Sequence, residues 1–293
     1  MGQTDNQVGL GAIWMTGAIV SFTAMAVAGR ELSTSHDTFE MMLFRSLLGI
    51  VIVTAVLTAT GNLGQISTNR LGLHTLRNIT HFTGQNLWFY AIGITPLSVV
   101  FALEFTQPLW VIVLAPLLIG ERMTRIRAFS ATLGFVGILI VSRPTADTLS
   151  LGIFAAAAAA FFFALTTMAT KRLTRDVPIG GIMFWMTVIQ AVLGLVFAGY
   201  DMDITLPTLT TLPWLTVIAL GGLVAHFCIT NALAIAPATV VIPIDFARLP
   251  AVAIVGMLLY NEAIDVWVIV GAVVIFGANY LNILSETRKN RVA

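Results

Sequence analysis

Two acidic residues stand inside strongly apolar runs of this chain. Glu104 lies in PLSVVFALEFTQPLWVIVLAPLLIGE, residues 96–121, and Asp245 in PATVVIPIDFARLPAVAIVGMLLYNE, residues 237–262. The second run repeats the first without a gap: the opening Pro, the Val-Val pair, the acid followed by Phe (Glu104-Phe105, Asp245-Phe246) and the closing Glu (Glu121, Glu262). Three positions after each acid comes a long polar donor, Gln107 in one copy and Arg248 in the other. On a helix that spacing puts both on one face. An acid beside an arginine can hold a zwitterion, the acid taking an ammonium and the guanidinium forking onto a carboxylate. The same charges could instead form a Glu104–Arg248 or Asp245–Arg248 salt bridge that only holds helices together. A charge at a bilayer centre costs about 2.5–3.5 kcal/mol, so all three side chains are expected to face the interior or water.

Further polar residues join this set as candidates. Histidine titrates near neutral pH, so His81 and His226 are candidates for proton relay, or else each hydrogen-bonds a neighbouring helix. Trp88 and Asn86 are candidate lining residues beside His81, with Tyr90, Trp110 and Trp185 as further aromatic walls and Asn78, Gln85 and Asn231 as further polar contacts. Arg45 is a gate or packing anchor, and Arg77 is expected to snorkel to the headgroups. Pro108 removes a backbone donor and crowds the Glu104 carbonyl; Pro250 does the same to Phe246. Both are expected to act as hinges next to an acid, although membrane helices also tolerate proline without function.

The elements that must position these residues are membrane helices. The chain has 293 residues, is 58% hydrophobic and only 10% charged, and has a mean hydropathy of +0.93. Soluble domains carry about 25% charged residues. Ten apolar runs approach the roughly 20 residues a spanning helix needs: 8–28, 39–59, 73–93, 96–120, 126–142, 151–170, 178–199, 213–234, 238–259 and 266–284. They are continuously apolar, whereas barrel strands alternate. The fold class is therefore an all-α membrane protein with ten transmembrane helices. Helices 5 and 10 carry no interior charge and are expected to face lipid or a second copy. The first run lacks a secretory flank and cleavage site, so it is expected to remain in the mature chain.

Numbering the loops alternately, Arg70, Arg122, Arg125, Arg127, Lys171, Arg172, Arg175, Arg288, Lys289 and Arg291 fall on one side with the N-terminus. Only Arg30 and Arg143 fall opposite, which predicts both termini in the cytoplasm. Residues 1–145 and 146–293 divide the chain into two five-helix repeats. Because five is odd, the second enters the membrane inverted, an arrangement found in secondary transporters with a midplane site.

Phe44-Arg45 in helix 2, Ala91 to Pro96 before helix 4, Gln107-Pro108 within it, Gly120-Glu121-Arg122 at its end, and Gly134 with Gly137 in the next helix together resemble the drug/metabolite transporter superfamily, EamA type. The second copy departs from the pattern: Trp185 stands where Arg45 would recur, and Asn261-Glu262-Ala263 replaces Gly-Glu-Arg. The resemblance implies the 5+5 fold and export or exchange of amino acids and related metabolites across a bacterial inner membrane.

Other classes find no support in the motifs. No GxxxxGK[ST] occurs, so a gradient of substrate or ions must supply the energy. HExxH is absent, and the single cysteine, Cys228, rules out a disulfide or a thiolate zinc cluster within one chain. The expected protein is not an enzyme and has no cofactor and no metal. Its partners are the lipid bilayer and a small-molecule substrate, with a proton or counter-substrate as an open choice; a net charge of +1 argues against nucleic acid. The oligomeric state is left open by the sequence, a monomer being compatible with this function. Importers or exchangers of another metabolite or of a drug-like cation, and a non-transporting assembly subunit, are the competing readings.

Overall fold

The computed structural model describes residues 2–118, 124–143, 150–173, 175–235, 245, 247–263 and 265–292. Their regular structure is helical. In chain order the helices are α1 (Gly2–Leu32), α2 (Thr38–Ala59), α3 (Leu71–Ile94), α4 (Leu97–Glu104), α5 (Gln107–Leu118), α6 (Arg125–Ser142), α7 (Leu151–Leu173), α8 (Ile179–Ala198), α9 (Leu212–Ile235), α10 (Arg248–Tyr260) and α11 (Val266–Val292). A single 3-10 turn, Leu63–Gln65, joins α2 to α3.

Local chemistry sets several of the boundaries. Asp37 caps α2 by accepting from the Glu40 N–H, and the Glu40 carboxylate bonds the Asp37 N–H in return, a reciprocal capping box. Pro96 precedes α4, where its fixed φ and missing N–H cost nothing. The run at 96–120 does not form one helix. α4 stops at Glu104, Phe105 and Thr106 form a turn, and α5 restarts at Gln107. Pro108 has no N–H to give the Glu104 carbonyl, so the ladder is interrupted directly after the acid.

Six described stretches are long and apolar enough to cross a bilayer: 13–32, 38–59, 97–114, 151–170, 179–198 and 212–229, the third running over the break between α4 and α5. Stretches within α6, α10 and α11 are apolar but shorter. α3 has the length but not the composition, because His74, Arg77, Asn78, His81, Gln85 and Asn86 are all buried along it. A helix that turns such residues inward is polar by sequence and apolar only toward its surroundings. Of the copy of 96–121, residues 236–244 lie outside the described residues; Asp245 and α10 are described.

The most extensive helix contacts pair α1 with α9, α3 with α7, α6 with α11 and α2 with α8. α4 also meets α10. If α1 is matched with α7, α2 with α8, α3 with α9 and α6 with α11, the first two contacts exchange and the other two map onto themselves. α6 and α11 approach closely: a Cβ on Gly271 would sit 2.9 Å from the Gly137 carbonyl oxygen. These two helices, whose charges lie only toward their ends, therefore cover each other rather than facing only outward.

Polar ties close both ends. At one, Arg70 pairs with Asp176 at 3.0 Å, and Trp185 Nε1 donates to the Ser67 carbonyl at 2.7 Å. At the other, Arg30 pairs with Glu262 at 2.7 Å and Arg143 pairs with Asp265.

Candidate functional site

Arg248, the first residue of α10, is 5% exposed and lies between the two acids. Its Nη2 is 3.1 Å from Glu104 Oε1 and 3.0 Å from Asp245 Oδ2. The interrupted helix brings Glu104 here as the last residue of α4, while Asp245 reaches the guanidinium from its own chain segment, three positions earlier. The other Glu104 oxygen, Oε2, accepts from the Trp88 indole N–H at 2.8 Å, so α3 holds the acid in place. Three phenyl rings box the guanidinium, with Arg248 Cζ 4.8 Å from the Phe22 centroid, 5.2 Å from Phe101 and 5.1 Å from Phe105. Rings at such distances attract a cation, more strongly when it is desolvated.

Two carboxyl groups face one guanidinium in this aromatic box, so with both ionised the centre holds one excess negative charge. Among the described residues the hydrogen bonds are also incomplete. Asp245 Oδ1 and Arg248 Nε are both buried, and no described residue bonds either. A buried acceptor and a buried donor without partners are costly to retain. Together they offer one place for a cationic donor and one for an anionic acceptor.

Two expected members lie elsewhere. Gln107 begins α5, beyond the turn at Phe105 and Thr106, so the three-residue spacing no longer keeps it on the face of Glu104. Its amide instead donates to Thr167 Oγ1 on α7 at 2.7 Å. Asn86 bonds its own helix, Nδ2 to the Phe82 carbonyl at 2.8 Å, and among the described residues its Oδ1 has no partner. Pro108 follows the break in the 96–120 run, and Pro250 lies in the first turn of α10; Phe246, whose carbonyl it would crowd, is outside the described residues.

A second polar group also reaches Phe22. His226 stands edge-on to the Phe22 ring at 5.9 Å, and His81 lies 6.1 Å from His226. Gln190 Nε2, from α8, is 2.9 Å from His81 Nδ1 and donates to Asn78 Oδ1 at 3.3 Å. Arg77 does not snorkel: it is 4% exposed and donates to Thr170 Oγ1 at 3.2 Å and to Asn78 Oδ1 at 2.9 Å. Its stem points inward because α7 and α8 wall off α3. Arg45 is also buried, beside Gln190.

Sequence reasoning did not single out Phe22, Phe101 or Gln190. Phe101 precedes Glu104 by one helical step of three residues, which could have placed it on the acid's face. Gln190 is the only amide in the run 178–199 and was visible as such.

A family model described as "EamA-like transporter family" matches this chain twice, at residues 9–143 and 150–284. The chain belongs to the EamA-like transporter family. It is therefore a multi-pass membrane transporter built from two repeats, and not an enzyme. Among curated proteins, this EamA-like transporter is 26% identical over 282 residues to the S-adenosylmethionine uptake transporter of Rickettsia bellii, covering 96% of this chain and 95% of that one. It is 29% identical over 286 residues to the riboflavin transporter of Brucella anthropi, covering 95% and 100% respectively. Neither relative is named as an amino-acid exporter, so that expectation receives no support from them. One solved structure, whose description states no function, matches with a TM-score of 0.66 at 16% identity, over 95% of this chain and 98% of the other, and shows the shared fold.

Proposed function

We propose that this chain is a secondary transporter that carries a small amino-acid-type metabolite with a net positive charge, S-adenosylmethionine being the leading candidate, through the Glu104–Asp245–Arg248 centre. The observation that carries the reading is the incomplete centre itself: two acids against one base, with Asp245 Oδ1 and Arg248 Nε unbonded by any described residue. A substrate ammonium or sulfonium is attracted to the excess carboxylate and the phenyl rings, and a substrate carboxylate to the guanidinium. S-adenosylmethionine carries all three groups, and relatives named for its uptake align over nearly the whole chain.

In this reading ten helices span a bacterial inner membrane as two inverted five-helix repeats, residues 1–145 and 146–293, with both termini in the cytoplasm. The crossing contacts of α1 with α9 and of α3 with α7, which interchange under a two-fold, support the inversion. The basic residues collected on the N-terminal side support the orientation. Alternating access follows from rocking one repeat against the other, with the break after Glu104 as a hinge and Arg45 buried between the halves. Direction follows the gradients, so the same cycle serves uptake, export or exchange.

The test is counterflow in proteoliposomes with radiolabelled S-adenosylmethionine against a panel of neutral, acidic and basic amino acids and riboflavin. Saturable entry of S-adenosylmethionine, competed by basic and not by acidic amino acids, is the expected result. Entry of riboflavin with no entry of any cationic amino-acid derivative overturns the reading.

A further inference from the structure

We infer that Arg45 and Arg77 form a second subsite, separated from the acidic centre by Phe22, which binds the carboxylate of the translocated solute. This rests on the transport reading above and adds a station to the path. The contrast with Arg248 is what requires it. Arg248 has two carboxylates and three rings. Arg45 and Arg77 are buried equally deeply, yet among the described residues neither has an acidic partner.

Among the described residues Arg45 has only a thioether, Met42 Sδ at 3.4 Å, for its five donors. Arg77 has the neutral oxygens of Thr170 and Asn78. A guanidinium taken out of water without an opposing charge carries a large desolvation penalty, which an anion removes. The two are linked into one polar track. Arg77 and Gln190 meet on Asn78 Oδ1, Gln190 meets His81, and Arg45 shares a small cavity with Gln190, Ser46 and Thr187. That cavity has room for about one water in this state, so a full carboxylate needs side-chain movement. Gly222 of α9 admits the arginine: a Cβ there would stand 3.1 Å from Arg45 Nη2. His226 follows Gly222 by four residues and so overlies it on the same helix face, directly beside Phe22.

The interior thus has a centre with two carboxyl groups against one guanidinium and a basic track with two guanidinium groups, both reaching one phenyl ring. A solute with a cationic group such as a sulfonium at one end and a carboxylate at the other is complementary to that polarity. Phe22 touches both groups, with Arg248 over its ring and the His226 ring nearly perpendicular to it at 5.9 Å, and is the partition the solute passes.

The experiment titrates the purified full-length protein in detergent with sodium acetate against sodium chloride at constant ionic strength, reading the melting temperature. It needs no transport, so a failure here is separate from failure of the substrate assignment. The expected result is a saturable rise with acetate that Arg45→Gln and Arg77→Gln weaken at least tenfold in midpoint, and that Glu104→Gln retains. Without acetate both glutamine variants melt no lower than wild type, because each removes an uncompensated charge; Arg45→Lys keeps the acetate response and guards against a folding artefact. No saturable acetate effect, or one unchanged in both glutamine variants, overturns the site. In proteoliposomes, wild type is expected to prefer the carboxylate solute over its carboxamide at least tenfold and Arg45→Gln to lose that preference. Stimulation by acetate from the opposite side without such a preference would assign the site to a counter-anion and overturn its placement on the solute.

Discussion

Arg248 and Glu104 are separated by 144 positions in the chain and by 3.1 Å in space, one from each matched repeat. The guanidinium that joins the two halves is also the one proposed to engage the substrate carboxylate. A buried ion pair broken on one side costs about 3–5 kcal/mol, while replacing the whole pair with neutral groups of similar size is often neutral or stabilising. That asymmetry separates a binding role from a holding role.

Arg248→Ala alone strands two acids and is expected to lower stability by about 3–5 kcal/mol. The combined Glu104→Gln, Asp245→Asn, Arg248→Met variant is expected to melt within a few degrees of wild type yet show under about one hundredth of its transport rate, a loss equal to about 2.7 kcal/mol. Thermal melts and initial rates in proteoliposomes check both. Normal transport by the neutral variant would leave the three charges as struts.

Glu262 ties three segments at the Arg30 end of the bundle. Its Oε1 accepts from Arg30 at 2.7 Å, its Oε2 accepts from the Leu97 N–H at 2.8 Å, and Arg30 also donates to the Thr95 carbonyl at 3.1 Å. Glu262→Ala leaves the Leu97 N–H without its acceptor and the Arg30 guanidinium without its carboxylate, at about 1–3 kcal/mol. The closed arrangement of this end is thereby weakened. In a Cys228→Ala background, a cysteine at Thr95 should react with a maleimide several-fold faster once Glu262 is removed. The swapped pair Arg30→Glu, Glu262→Arg should return the rate toward wild type; an unchanged rate in Glu262→Ala would remove the latch role.

Pro108→Ala restores an N–H that can reach the Glu104 carbonyl and close the gap between α4 and α5. Interior prolines cost a helix about 3 kcal/mol, so the variant is expected to melt no lower than wild type. Its transport is expected to fall several-fold, because a continuous helix carries Glu104 away from Arg248 and removes the hinge. Initial-rate kinetics set against the melt decide it: full activity with a straightened helix would make the break incidental.

Much of this was legible in the chain because the signals are linear. Apolar run length identifies membrane helices, and an ungapped copy with the acid, the Phe and the closing Glu in register identifies the repeat. Proline at position 108 marks the break to within a few residues. α3 shows the limit of hydropathy: its apolar character is diluted by the polar residues it buries, so length and average alone do not select it.

What the sequence by itself determined was the inventory: two acids at matched repeat positions with an arginine three residues after the second, a helix interrupted after the first acid, and a duplicated bundle. Only the tertiary structure decided the partners. Gln107 left the acid's face once the turn at Phe105 and Thr106 reset the helix phase, Trp88 supplied the donor for Glu104, and Arg77 proved buried among α7 and α8 instead of reaching the headgroups. The physical reason is rotational. Each residue advances a helix by about 100°, so a single turn or kink redirects every side chain after it, and partners on other helices are set by crossing and rotation that no local pattern encodes.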